Sequence, residues 1–144
     1  MSSDPSLAIQ KAIYNVLHGS AFQTACGVTV GVYDHVPQAA RPPYVVISDI
    51  QVDGDGAGNY DPSIVHAHLT VWSNKPGKVE LFTIAGLIRD YLAPRSDRGP
   101  PFSLSTDGHR LVTYRHQQTI PMNDADGIST KATVMIEFKT EPLT

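Results

Sequence analysis

The sequence predicts an α+β fold: a mixed, mainly antiparallel β-sheet with two α-helices packed on one face, and long polar loops. Three observations carry this. Two segments repeat apolar residues at helical spacing, several others are rich in β-branched and aromatic residues, and the order runs helix, three strands, helix, two strands. Antiparallel strands in that order gather both helices on one side of the sheet. The 144 residues predict a single domain over 1–144, with no repeat or low-complexity stretch.

Asp4-Pro5 reads as a helix start, with Asp4 as cap acceptor and Pro5 in the first turn, where a missing N–H costs nothing. Ile9, Ile13, Val16 and Leu17 form one apolar stripe, and Gly19 is predicted to end the helix in a left-handed conformation. Residues 20–29 read as a loop with room for an extra turn around Phe22 to Ala25. Val30 to Tyr33 is a short apolar strand. From Val36 to Pro43 three prolines predict a stiff extended connector. It delivers Tyr44 to Ile50, whose apolar run without polar alternation predicts the central strand, buried on both faces.

Asp53 to Pro62 is too rich in Gly and Asp to pack and predicts a mobile loop. Ile64 to Ser73 alternates, with Ala67, Leu69 and Val71 on one face and His66, His68, Thr70 and Trp72 on the other; the tryptophan implies that this second face is partly covered. Lys75-Pro76-Gly77 turns the chain into a helix over Lys78 to Leu92, with Leu81, Ile84, Ala85, Ile88 and Leu92 as its buried stripe. Pro94 ends it. Arg95 to Gly108 reads as an exposed excursion. The last third reads as a hairpin, Arg110 to Ile120 and Ile128 to Thr140 around a polar turn, with Ala132, Val134, Ile136 and Phe138 facing the core.

Composition excludes several classes. A net charge of −3, from 11 basic and 14 acidic residues with the basic ones scattered, disfavours direct nucleic-acid binding. No apolar run approaches the ~20 residues needed to cross a bilayer, and the first twenty residues lack a signal-peptide core, so a soluble protein without a membrane partner is expected. The single cysteine, Cys26, has no partner within the chain and reads as a packed free thiol.

Each catalytic route lacks a defining part. There is no G-x-S-x-G, Cys26 has no neighbouring histidine, and Gly54, Gly56 and Gly58 lack the Lys-Ser/Thr that would hold a nucleotide. The Asp53 loop fails as a calcium loop, because position 5 is Ala57 and position 12 is Ile64. His66 and His68 share a strand face and supply two ligands of the three or four that zinc requires; His116 or His109 would have to join them. A small metal-dependent enzyme or binding domain using His66, His68 and His116 is therefore one reading. The other, a non-catalytic protein with no catalytic, cofactor or metal residues, is the default.

The pattern as a whole resembles a family. An amphipathic first helix is followed by Val32-Tyr33-Asp34-His35-Val36-Pro37-Gln38, Pro43-Tyr44-Val45-Val46-Ile47 and Leu69-Thr70-Val71-Trp72-Ser73. Then come a helix, Gly108-His109-Arg110-Leu111-Val112, and a last strand closing on Phe138. From Leu7 to Pro142 this order and spacing resembles the tail-completion, or tail-terminator, proteins of long-tailed phages and of phage-derived gene transfer agents. The resemblance implies a structural virion protein and no enzyme: a homo-hexameric ring capping the head-proximal end of the tail tube, ending tube polymerisation and joining tail to head. Its implied partners are its own copies, the tube protein and the head-completion or connector protein, with DNA passing through the lumen unbound. It implies a place in the virion tail, and in host cytoplasm during assembly. A head-completion or stopper protein is the neighbouring alternative. Partner contacts are expected on the polar loops, at Asp53, Asp55, Asn59, Tyr60 and Asp61, at Arg95, Asp97 and Arg98, and at Asn123, Asp124 and Asp126.

Overall fold

The computed structural model describes residues 4–54, 62–123 and 129–143. Five strands form one sheet in the order β1-β2-β3-β5-β4. These are β1 Gly31–Tyr33, β2 Tyr44–Gly54, β3 Ser63–Ser73, β4 His109–Asn123 and β5 Thr130–Pro142. Only the β1–β2 pair is parallel. Three α-helices, α1 Ser6–His18, α2 Ser20–Cys26 and α3 Val79–Leu92, complete the α+β layer. α1 lies against β1 and β2, and α3 lies against β3 and β5.

The core forms where the helical stripes meet the sheet. Ile9, Ile13 and Leu17 of α1 and Leu81, Ile84, Ile88 and Leu92 of α3 pack on Val45, Val65, Leu69, Val71, Val134, Ile136 and Phe138, all excluded from water. Strict alternation along β5 is the cause on the sheet side, since every second residue from Thr130 to Thr140 is buried and those between are half-buried.

Several elements depart from the sequence expectation, each for a physical reason. β3, not β2, is the central strand. β2 buries Val45 and Ile47 but leaves Tyr44 and Val46 half-covered on the open face. That face is apolar at Tyr44 because the ring packs with Trp72 at 6.3 Å and Tyr33 at 5.9 Å between centroids, and Lys131 sits 4.8 Å over Trp72. Aromatic side chains of the same sheet, not another layer, thus provide the partial cover that Trp72 implied. The connector is not extended throughout, because the Ala40 N–H donates to the Pro37 carbonyl at 3.0 Å and closes a turn that returns the chain for parallel pairing.

Gly19 is extended, at φ −68° and ψ 155°, and turns α1 directly into α2; the left-handed stop falls on Gly27, at φ 74°, after α2. α2 buries Phe22 and is anchored by Gln23. The Gln23 amide donates to the carbonyls of Leu17 at 2.9 Å and Val30 at 2.8 Å, and its oxygen accepts the Val30 N–H at 2.8 Å. The Arg95 to Gly108 excursion is not wholly exposed. Leu104 is buried, Phe102 packs on Phe138 at 5.3 Å between ring centroids, and short 3-10 turns at Ser96–Arg98 and Ser105–Asp107 flank this stretch. Finally, β4 runs on through Pro121 to Asn123, and the edge position of the strand tolerates a proline there.

Candidate functional site

The histidines do not converge. His66 and His68 lie on the open sheet face, whereas His116 pairs with Ile136 and lies on the helix-covered side. His66 is held by its own face, with Nε2 3.4 Å from Asp53 Oδ2 and Nδ1 3.2 Å from Gln117 Oε1. His68 sits opposite Asp49 and Met135 in register. His109 is buried at the start of β4, and its Nδ1 has no hydrogen-bond partner among the described residues. The described residues contain no group of three or more metal-ligating side chains, and no described helix is long and apolar enough to cross a membrane. The β-sheet therefore separates the three histidines a metal reading needs.

What the sheet does arrange is charge. On the open face Arg115 donates from Nε and Nη2 to both oxygens of Glu137, at 3.2 and 3.0 Å. The paired guanidinium holds the Glu137 carboxyl below its usual range, and the same pair raises Arg115. Arg110 pairs with Glu141 two rows away. Two bulges in β4, at Leu111/Thr113 and His116/Gln118, set which β4 residues reach this face.

A cleft of about 630 Å³ opens between the second half of α3 and β4. Arg89, Asp90, Arg95, Tyr114, Arg115 and His116 line it. The Tyr114 hydroxyl donates to the Gly99 carbonyl at 3.0 Å and ties the segment after α3 to β4. His116 Nε2 lies 2.8 Å from Thr119 Oγ1, and its pKa is lowered, first by burial and then by the Arg89 charge. A histidine whose folded pKa lies below its ordinary value of 6.5 is neutral in the fold and resists protonation there. Stability from this group is present above pH 6.5 and is lost as pH falls from there through the lowered value. Wild-type unfolding midpoints in urea are expected to fall between pH 7 and pH 5.5, and His116→Gln is expected to flatten that part of the profile. An unchanged slope in the variant would contradict the assignment. The Glu137 contribution has a separate window, because a lowered carboxylate loses stability only below its ordinary value of 4.5.

Cys26 is half-buried, and burial pushes its thiol up to about 11, so it is a protonated packing group at neutral pH.

The residues expected to meet partners are distributed over the surface. Asp53 is exposed at one end of the sheet, where Gly54, Ser63 and Thr140 are in register; Asn123 is exposed at the opposite end, with Thr130 and Ser73. Arg95 and Asp97 face each other at 3.6 Å in the turn after α3, and Arg98 is exposed beside them. Asp55, Asn59, Tyr60, Asp61, Asp124 and Asp126 lie outside the described residues. Sequence reasoning did not single out Arg89 or Arg115, and it placed His116 with His66 and His68 instead of in this cleft. Arg89 lies on the wet face of its helix, and the approach of that face to β4 is a tertiary fact that no local pattern carries.

The sheet is covered by helices on one face and carries the Arg115–Glu137 pair and the Tyr33–Tyr44–Trp72 cluster on the other. The family described as Tail completion protein gp17 matches residues 9–141, and the chain belongs to it. It is thus a structural component of the virion tail. The fold is similar to that of a chain in the structure described as "Virion of native gene transfer agent (GTA) particle", with a TM-score of 0.77 and 18% identity over 97% of this chain and 99% of that one. No curated protein matches the chain.

Proposed function

We propose that this protein is the tail terminator: copies of it close into a ring, six in number, at the head-proximal end of the tail tube, end tube growth and present a surface to the head's connector. The observation that carries the reading is the family match over 9–141. The geometry supports a ring because the sheet has two unlike margins. Among the described residues β1 covers only Tyr44 to Val46, so β2 beyond that point has no strand on its outer side, and β4 has none along its length. Unlike margins suit head-to-tail contacts, which close when the rotation allows.

In this reading residues 1–144 act as one domain, with no catalytic step and no cofactor. Asp53 and its neighbours Asp55, Asn59, Tyr60 and Asp61 meet one axial partner, and Asn123, Asp124 and Asp126 meet the other, since Asp53 and Asn123 mark opposite ends of the sheet. Arg95, Asp97 and Arg98 lie towards the β4 margin and serve contacts between copies. DNA passes through the opening without specific binding, and assembly takes place in host cytoplasm before the ring joins the virion. The experiment is tube polymerisation from purified tube protein with and without this chain. Tubes that stop elongating when it is added support the reading; tubes that grow on unaffected, with the protein bound only at a connector, would assign it to head completion instead.

A further inference from the structure

The charges in the α3–β4 cleft are unequally satisfied. Arg115 is engaged by Glu137. Arg95 reaches Asp97 only at 3.6 Å, with both side chains mostly in water. The Arg89 side chain makes no ion pair or hydrogen bond among the described residues, although it lies in the cleft near enough to His116 to lower its pKa. Arg89 and Arg95 are both exposed, and a guanidinium without a close counter-charge gains more from an incoming carboxylate than one already paired.

The other margin of the same sheet has the complementary arrangement. Along β2, beyond the reach of β1, Asp49 and Asp53 are exposed on the open face. Asp49 has no ion pair or hydrogen bond among the described residues, and Asp53 is held only by the His66 imidazole at 3.4 Å and the Gln51 amide at 3.4 and 3.5 Å. One protomer thus presents under-satisfied arginines at its β4 side and under-satisfied aspartates at its β2 side, with β3 and β5 between.

We propose that the α3–β4 cleft receives the acidic β2 margin of a second copy of this chain, with Arg89 and Arg95 meeting Asp49 and Asp53 of the neighbour. The proposal rests on the ring reading above and specifies its contact. Because the two patches sit on opposite sides of one protomer, the contact cannot be two-fold; it repeats head to tail, as a closed ring requires. A nucleic-acid phosphate fits the cleft less well. Asp90 and Asp97 stand among its arginines, and phosphate binding draws on runs of bases without acidic neighbours.

Sedimentation velocity of the full chain tests this with two double variants, Arg89→Glu with Arg95→Glu and Asp49→Arg with Asp53→Arg, each checked for folding by circular dichroism. Each variant alone brings like charges together, so its assembly midpoint is expected to rise at least tenfold in concentration. An equimolar mixture of the two is expected to recover the wild-type species, because every contact in an alternating ring is then complementary. Should a reversal fail to fold, the neutral pair Arg89→Gln with Arg95→Gln is expected to weaken assembly in the same direction. Variants that assemble like wild type, or a mixture that does not recover, would overturn the proposal while leaving the ring intact. Loss of salt-sensitive duplex-DNA binding in the arginine variant, with normal assembly, would overturn it in favour of nucleic acid. A wild-type chain that stays monomeric would instead overturn the ring reading itself.

Discussion

Ile136→Asp is expected to leave the protein insoluble, and Glu137→Lys, one residue on, to fold and melt like wild type. Ile136 is fully excluded from water in the middle of β5, between Ala67 of β3 and His116 of β4. A carboxylate there has no cationic partner built for it, and burying an unpaired charge costs more than about 4 kcal/mol, a large part of the stability of a domain this size. Glu137 points the other way, onto the open face with Arg115. Losing that pair costs little, because Arg115 is in water and the attraction is screened. Soluble expression and thermal melting of the two variants check the pair. Similar behaviour in both would mean that β5 is out of register by one residue, since a single step exchanges the two faces of the sheet.

Phe138→Ala is expected to destabilise the fold by about 3–5 kcal/mol, the usual cost of truncating a buried aromatic ring. Phe138 is completely buried, opposite Val65 and Tyr114, and it carries Phe102 at 5.3 Å. The ring is therefore the floor on which the segment after α3 rests, and a cavity there removes contacts from both sides. Phe102→Ala, half-buried at the same contact, is expected to cost less and to loosen mainly residues 99–104. Urea unfolding gives the first magnitude, and amide exchange over residues 99–104 reads the second. Equal losses from both substitutions would contradict the order of support.

The elements legible in the sequence are those whose environment repeats at a fixed period. β5 alternates strictly because one face is buried along its whole length, and the α3 stripe from Leu81 to Leu92 follows a single groove of the sheet, so both are readable from spacing alone. α2 was not legible as a helix: over seven residues it buries only Phe22, and its anchor is the Gln23 side chain, whose partners at Leu17 and Val30 no periodicity announces. Placing Tyr44 to Ile50 at the centre failed for a related reason. Tyr44 and Val46 are apolar because an aromatic cluster occupies the open face, and a run without alternation looks the same whether its second face meets a helix or a neighbouring ring.

The candidate site was less legible than the fold. Asp53 and Asn123 could be placed at strand ends because polar turn residues mark such ends, but nothing local says that the two ends are opposed. That follows from the register of β3 with its two neighbours. The Arg115–Glu137 pair joins residues 22 positions apart, and two bulges decide which β4 residue reaches Glu137. The cleft beside Arg89 depends on where α3 crosses the sheet, which sequence spacing does not encode.

Imaging of the purified wild-type chain by negative-stain electron microscopy tests the central claim, that this sheet protein works by closing on its own copies around an opening. Annular particles of six units, each about one protomer wide, are the expected result. Particles no larger than a single chain at high concentration, and no rings on the ends of added tubes, would contradict it.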